Sequence, residues 1–587
     1  MRQRTMERPK QLAFDYTKLP REFPRRYLPA GMGFEWAQLS RPFAELKKRE
    51  IRSVEDLERW LADQDELDAV VYEQKALCTV NVSRQTDDSG YKNAYMDFLQ
   101  NLEPRIKISS FELLKNYVAS PYRKELPPLG YSMVDRRREN AARIFREENV
   151  ELEKKDAELS EQYQTIRGAM MVSFRGEERT LQQMTRFYEE TDRGVRREAW
   201  ELVEARFLKD SERLDLVYDE MISLRDRIAR NAGFSNFRDY AFAQKNRFDY
   251  TPEDCQALHD AVEKYFVPLS REIDEERKRK MGLDQLMPWD MSVDPEGRPP
   301  LAPFDDINGL VGGCARVVKK VDDQLSKYFD RMVELDLLDL DSRKGKAPGG
   351  FQEEFSELRF PFIFMNAARK DSDVRTLLHE SGHSFQTFLM QEAGLPFYNS
   401  GQNLPAEFAE VASTSMELMG GEHLAGIFYD GTDARRSNKI EVIDMVKLFT
   451  WVATIDSFQH WVYTHPGHTH EERAAAWTKI FRRFSGLESY EGFEGQLRYR
   501  WQRQLHLYQF PFYYIEYAIA TLGALGIWFG YREDRAKAIG AYKRALSLGA
   551  SKPLPELFQA AGLPWDLGPR TLEKYSRQLG SVLKTYS

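Results

Sequence analysis

The sequence predicts a mainly α-helical protein with a small β-sheet. Helical patterning runs through most of the chain, two short stretches read as strands, and everything after Asp371 reads as helix joined by short loops. The 587 residues amount to roughly four domain-equivalents. A composition with 42% hydrophobic and 13% aromatic residues supports a large core and excludes disorder as the main state. Glycine (35) and proline (26) are too few for a collagen-like or low-complexity chain. No internal repeat of about 20 to 50 residues is visible.

The N-terminal segment is basic, but no apolar run follows it, so it does not read as a secretory signal. Val134 to Gln164 interleaves acids and bases and predicts one long solvated helix with many i,i+4 pairs. Acids directly follow its run Arg136-Arg137-Arg138, which weakens a nucleic-acid reading. Between Ala169 and Leu181, apolar residues flank Arg175-Gly176-Glu177 and predict a short hairpin. This hairpin marks the boundary between an N-terminal helical region, 1–180, and the remainder, 181–587. The proline-rich passage Met287 to Phe304 reads as an extended surface connector. Gly349-Gly350-Phe351 opens the second β stretch, in which Phe360, Phe362 and Phe364 alternate with period two. The longest apolar run, Tyr517 to Tyr531, is shorter than the about 20 residues that span a bilayer and predicts a buried helix.

A net charge of -8 disfavours bulk electrostatic nucleic-acid binding. Cys78, Cys255 and Cys314 lie too far apart in sequence for a disulfide framework or a CxxC knuckle, which suits a reducing compartment. With no targeting or membrane segment, the expected location is the cytoplasm.

Only nine histidines are present, so their placement is informative. His465, His468 and His470 cluster in THPGHTH, but Pro466-Gly467 reads as a turn. Thr469 with Glu472 reads as a capping box that starts the next helix. His259, His423 and His460 stand singly and are read as structural. His379, Glu380 and His383 form HExxH. On a helix, residues i and i+4 share a face, so both imidazoles can reach one zinc ion at about 2.0–2.1 Å. Glu380 then lies beside the metal's open position. Asp371 and Ser372 are candidate N-caps for this helix. Gly382, inside the motif, costs about 1 kcal/mol of helix propensity and suggests a close-packed neighbour. A catalytic zinc needs a third protein ligand. Asn403-Leu404-Pro405 reads as the start of a further helix, on which Glu407, Glu410, Thr414 and Glu417 recur along one face among apolar neighbours. A carboxylate in such a setting calls for a cation.

HExxH followed after 26 residues by a Glu within EFAEVAS resembles the thimet oligopeptidase and oligoendopeptidase F family of zinc metallopeptidases. TDRGVRREAW, the stretch GGFQEEFSELRFPFIFMNAARKDSDVRTLLHESGH and WQRQLHLYQFPFYYIEYAIATLGALGIW are similar to family segments. Together they carry the resemblance over about residues 180 to 575. The wording is nearest to the bacterial oligoendopeptidase F and Pz-peptidase branch. The resemblance implies an elongated multi-helix molecule with a deep central channel and the small sheet near the zinc helix. It makes 181–587 the catalytic region. It implies one Zn2+ per chain, held by His379, His383 and Glu410, with Glu380 moving the proton of the attacking water. His506, Tyr514 and Tyr517 are assigned to the oxyanion. Relative to the thimet branch, the His-to-Tyr spacing is one residue shorter, and Phe510 stands where a further tyrosine would fall. Glu417 is a candidate partner orienting an imidazole.

The implied activity is endopeptidase cleavage of short unstructured peptides by a monomer or weak homo-oligomer without nucleic-acid or membrane partners. The alternatives are a helical zinc carboxypeptidase of the carboxypeptidase Taq type, needing a basic group such as Arg498, Arg500 or Arg503, and a peptide-binding scaffold without turnover.

Overall fold

A computed structural model describes residues 14–586 apart from Pro24, so the basic stretch 1–13 lies outside the described residues. The chain is mainly helical, with a two-stranded and a three-stranded sheet among the described residues. Its principal helices, in chain order, are α1 (Val54–Arg84), α2 (Pro128–Ile144), α3 (Asn149–Gly168), α4 (Ser211–Asn231) and α5 (Pro252–Met281). They continue with α6 (Asp371–Glu392), α7 (Ala406–Gly421), α8 (Gly431–Thr464), α9 (His470–Phe484) and α10 (Tyr514–Glu533). No helix among the described residues is long and apolar enough to cross a membrane. Among the described residues, two compact units are assembled from interleaved segments: 14–142, 302–434 and 523–564 form the first, and 143–301, 435–522 and 565–586 the second.

In the first unit, Leu57, Trp60, Leu61, Leu67 and Val70 of α1 share a core with Leu39, Phe43, Leu46, Leu113 and Tyr117. The indole N–H of Trp60 finds the Leu46 carbonyl at 2.9 Å, so this large ring is buried with its one polar atom satisfied. The three-stranded sheet has the order β3 (Leu338–Asp341), β5 (Phe360–Ala367), β4 (Phe351–Phe355). β5 pairs parallel with β3 and antiparallel with β4. The period-two reading of Phe360, Phe362 and Phe364 captures half of this strand. Pro361 and Ile363 are buried as well, because β5 is central and covered on both faces.

Asp339 on β3 draws three cations: Arg343 at 2.6 Å, Arg84 at 2.7 Å and Lys346 at 2.8 Å. Of the arginine run at 136–138, Arg136 is exposed, but the other two turn inward. Arg137 donates to the carbonyls of Tyr398 and Ala550, and Arg138 to Gln64 Oε1. Guanidinium groups spent on internal carbonyls offer nothing to phosphates.

The single long helix expected over Val134–Gln164 is two helices, α2 and α3. In the second unit the intervening turn has a purpose. Arg146 donates from it to the carbonyl of Asn231, at the C-terminal end of α4 where carbonyls lack helical partners. Asn149, first in α3, donates to the Ile228 carbonyl and accepts from Asn231. The expected hairpin is present as β1 (Met171–Phe174) and β2 (Glu177–Thr180). Arg175 and Gly176 both sit at positive φ, as a two-residue type I′ turn requires.

The proline-rich passage is more than a surface connector at its start. Asp290 is fully buried, receives Arg193 at 2.7 Å and Arg196 at 3.1 Å, and accepts the Met287 N–H. The capping box of α9 forms as read: Thr469 and Glu472 exchange hydrogen bonds. His465, His468 and His470 do not converge. His465 bonds the Trp461 carbonyl, His468 the His465 carbonyl and His470 the Asp219 carboxylate.

Candidate active site

The first unit brings the HExxH residues and Glu410 together on two packed helices. α6 opens after Lys370. Its capping carboxylate is Asp373, which accepts the backbone N–H groups of Ala368 at 2.7 Å and Lys370 at 2.9 Å. Asp371, the expected cap, instead accepts the Tyr429 hydroxyl. α7 starts after Pro405 and buries Phe408, Val411 and Ala412, the apolar flank of its acidic face.

The closest approach of α6 and α7 falls at Gly382. A Cβ there would meet the Ala412 carbonyl oxygen at 2.5 Å and Ser413 Cα at 2.6 Å, both backbone atoms. Any larger residue would push the helices apart, so the glycine sets the distance across which His379, His383 and Glu410 face one another.

That distance suits one ion. Glu410 Oε2 lies 3.3 Å from His379 Nε2 and 3.8 Å from His383 Nε2. Ligand atoms on a tetrahedral zinc, bonded at about 2.0–2.1 Å, stand roughly 3.3 Å apart. A donor from each residue falls within 4.8 Å of the other two. The remaining imidazole nitrogens are held from behind: His379 Nδ1 meets Glu417 Oε1 at 2.6 Å, and His383 donates to the Ala409 carbonyl. Both rings therefore present Nε2 to Glu410. Ser413 Oγ donates to Glu410 Oε2 at 3.1 Å.

Electrostatics sharpen the pattern. Burial works against a charged His379, but Glu417 and Glu410 outweigh it and hold this imidazole well above its usual range. Burial pushes His383 down to about 4. Glu410 is opposed by burial but drawn down to about 2 by His379 and His383, so it is ionised. Glu380 is outside this trio. Burial lifts its carboxyl to about 7, and the backbone N–H of Gln352 on β4 donates to it. A carboxyl held near neutrality can both take and return a proton.

His506, Tyr514 and Tyr517 are gathered in the second unit. His506 lies in the short helix Leu505–Gln509, and Tyr514 opens α10. The His506 ring is 4.8 Å from Tyr514 and 6.0 Å from Tyr517, and the two tyrosine rings are 5.5 Å apart. Burial, with help from Lys245, pushes His506 down to about 4, so the ring is neutral. Gln504 Nε2 and His506 Nδ1 meet at 2.8 Å, which leaves Nε2–H to donate elsewhere. The half-buried Tyr513 packs edge-on to Tyr517, with ring centroids 5.2 Å apart, under the ammonium of Lys245. Phe510, in the place of a further tyrosine, is half exposed. Pro511 lies just before α10.

The arginines weighed for a carboxypeptidase are each engaged. Arg498 pairs with Glu471, Arg503 with Glu204, and Arg500 with Tyr490. Sequence reasoning missed Ser413, Gln352 and the Ala409 carbonyl. Ser413 was readable from its i+3 spacing to Glu410. The other two act through backbone atoms and leave no residue-type signal.

The chain as a whole is similar to known proteins. The chain is 26% identical over 305 residues to an oligoendopeptidase F homologue of Borreliella burgdorferi, an alignment covering 50% of this chain and 49% of that one. It is 24% identical over 404 residues to an oligoendopeptidase F homologue of Lactococcus lactis, covering 64% and 61%. The matches thus span about half to three-fifths of these relatives. Among solved structures, Pz peptidase A with an inhibitor superposes with a TM-score of 0.87 at 27% identity, over 97% of this chain and 99% of that one. The oligoendopeptidase-F of Enterococcus faecium, at 16% identity and a TM-score of 0.65 over 94% and 97%, shares the fold. A Peptidase M3 N-terminal domain matches residues 34–145. The profile of peptidase family M3 matches residues 186–566, a span that holds His379, Glu380, His383, Glu410, His506, Tyr514 and Tyr517, and on that match the chain belongs to peptidase family M3.

Proposed function

We propose that this peptidase is a zinc-dependent endopeptidase acting on internal bonds of short, unstructured peptides. The observation that carries the reading is the convergence of two imidazole Nε2 atoms on Glu410 Oε2, with the near-neutral Glu380 alongside. His379, His383 and Glu410 would hold one zinc ion. When bound, zinc supplies a Lewis acid that acidifies water and polarises the scissile carbonyl. Glu380 accepts the water proton on its carboxylate and later delivers it to the leaving amine. Glu417 and the Ala409 carbonyl keep the imidazoles turned toward the ion. The family resemblance assigns the oxyanion to His506, Tyr514 and Tyr517. Their chemistry suits it: a neutral imidazole N–H and phenol hydroxyls are donors, each worth on the order of 2.7–4 kcal/mol to a developing oxyanion.

β4 is the edge of its sheet. An extended peptide added there would be read through its main chain, which tolerates varied side chains. Three buried cysteines, none in a disulfide, fit a cytoplasmic setting. The engaged arginines of the second unit give no support to a carboxypeptidase. The protein would act as a monomer or weak homo-oligomer, with peptides rather than nucleic acids or membranes as partners.

The test is a quenched-fluorescent peptide assay with and without chelator, alongside elemental analysis. Cleavage should stop on chelation and return with zinc. Glu380→Gln should keep zinc and lose nearly all turnover, whereas His383→Ala should lose the catalytic zinc. A peptide with a blocked C-terminus should still be cut. Wild-type rates in Glu380→Gln, or loss of activity on blocking the C-terminus, would sink the proposal.

A further inference from the structure

The second unit contains another set of metal-ligating side chains, and it lies on the facing sides of two helices. α5 carries Cys255 and His259, and α8 carries Asp456 and His460, each pair one turn apart on its helix. Cys255 Sγ, a carboxylate oxygen of Asp456 and a ring nitrogen of His460 lie within 4.8 Å of one another. We propose that Cys255, Asp456 and His460 form a second zinc site, with His259 positioning the Asp456 carboxylate.

The hydrogen bonding shows which oxygen of Asp456 an ion would use. His259 is committed on both sides: Nε2 meets Asp456 Oδ2 at 2.9 Å, and Nδ1 meets Ser457 Oγ at 3.0 Å. With its Nε2 facing the carboxylate, His259 donates to Asp456 and accepts the Ser457 hydroxyl at Nδ1. Asp456 Oδ1, by contrast, is buried with no hydrogen-bond partner. So is His460 Nε2, although it stands 3.2 Å from Asp456 Oδ2. That pair is an ion-pair contact. Side-by-side placement at this distance is how two ligands of one tetrahedral ion stand, roughly 3.3 Å apart.

An orphaned polar atom in a core, as Asp456 Oδ1 is, carries a desolvation penalty of about 1–3 kcal/mol. A cation bound there removes the penalty. Charge favours the same answer. A thiolate and a carboxylate together neutralise a divalent ion, so the buried site carries no net charge. Aromatic rings border the cluster: Phe512 and Phe242 pack against His460, and Phe484 against His259. Burial there strengthens each ion–ligand contact. Thiolate and imidazole ligands select zinc over magnesium or calcium. On binding, the Cys255 thiol releases its proton to solvent. Because Cys255 and Asp456 are buried, the ion is taken up as the unit folds and exchanges slowly.

A thiolate ligand separates this site from the HExxH site, which has none. The full chain purified in zinc should hold two ions, and His383→Ala and Cys255→Ser should each hold one. Protein expressed in cobalt-supplemented, zinc-depleted medium should show a near-ultraviolet thiolate-to-cobalt charge-transfer band. The band should persist in His383→Ala and vanish in Cys255→Ser. One zinc in the wild type, two in Cys255→Ser, or a cobalt protein without the band would each overturn the site. If Cys255→Ser does not fold, the band in the wild type and in His383→Ala decides alone. A His383→Ala protein with undiminished metal and an intact band would refute the catalytic site and leave this one standing.

Discussion

Replacing Gly382 with alanine should damage zinc binding more than folding. The added Cβ would lie 2.5 Å from the Ala412 carbonyl oxygen, whereas ordinary contact begins at 3.4 Å. The obstructing atoms are backbone, so relief requires α6 and α7 to separate by roughly 0.9 Å, an overpacking that costs about 1–3 kcal/mol. Alanine returns about 1 kcal/mol of helix propensity, so the metal-free protein should lose only about 0–2 kcal/mol. The zinc ligands have no such compensation. Glu410 on α7 faces His379 and His383 on α6 at 3.3 and 3.8 Å, while ligand distances tolerate only about 0.2 Å. A displacement near 1 Å should weaken zinc binding by tenfold to hundredfold or more, about 1.4 kcal/mol per decade. Chelator competition measures the affinity, and thermal melts of the metal-free proteins measure the stability. Zinc affinity within threefold of wild type would show that the glycine does not set the ligand spacing.

Glu417→Gln should weaken zinc binding by about tenfold to hundredfold without removing a ligand, because His379 loses its anionic partner; unchanged affinity in chelator competition would refute that positioning role. His506→Ala should lower kcat while zinc content stays at the wild-type level, and loss of metal would move His506 out of the oxyanion assignment. Asp339 is opposed by burial, but Arg343, Lys346 and Arg84 outweigh it and hold its carboxyl far below the usual range. Its stabilisation is therefore complete above the unfolded value near 3.9 and is lost as pH falls through and below it. Metal-free Asp339→Asn should be about 3–5 kcal/mol less stable than wild type at pH 7, with the gap closing below pH 4 in pH-resolved melts. Unstructured peptides of roughly five to twenty residues should be cut internally while stable folded proteins survive, since folded loops do not present an extended backbone. Mass spectrometry of a peptide ladder beside a folded protein reads this, and length-independent rates would contradict it.

What could be read from the chain was set by how far apart the interacting residues stand in it. His379 and His383, Thr469 and Glu472, and Arg175 and Gly176 interact within one or two turns, and spacing alone exposes them. The acidic stripe of Glu407, Glu410 and Glu417 on an otherwise apolar helix showed that a cation was needed, while the choice of Glu410 among them came from the family resemblance. The helix break before Asn149 was hidden because its cause, the end of α4, lies about eighty residues away. Asp339 looks like an ordinary strand residue until Arg84 arrives from α1. β5 appeared half exposed because alternation reports side-chain direction, and only the paired strands and packed helices decide whether both directions are covered.

The second histidine cluster follows the same rule. Cys255 and His259 are one turn apart, and so are Asp456 and His460, yet each histidine alone reads as structural. The two faces are separated by about two hundred residues of chain and meet only when α5 packs on α8. Spacing fixes which face of a helix a residue occupies, and tertiary contact supplies the partner. Gly382 is the exception that links the two levels. A glycine inside an apolar helix signals that another backbone must come close, and here that backbone belongs to the helix bearing Glu410.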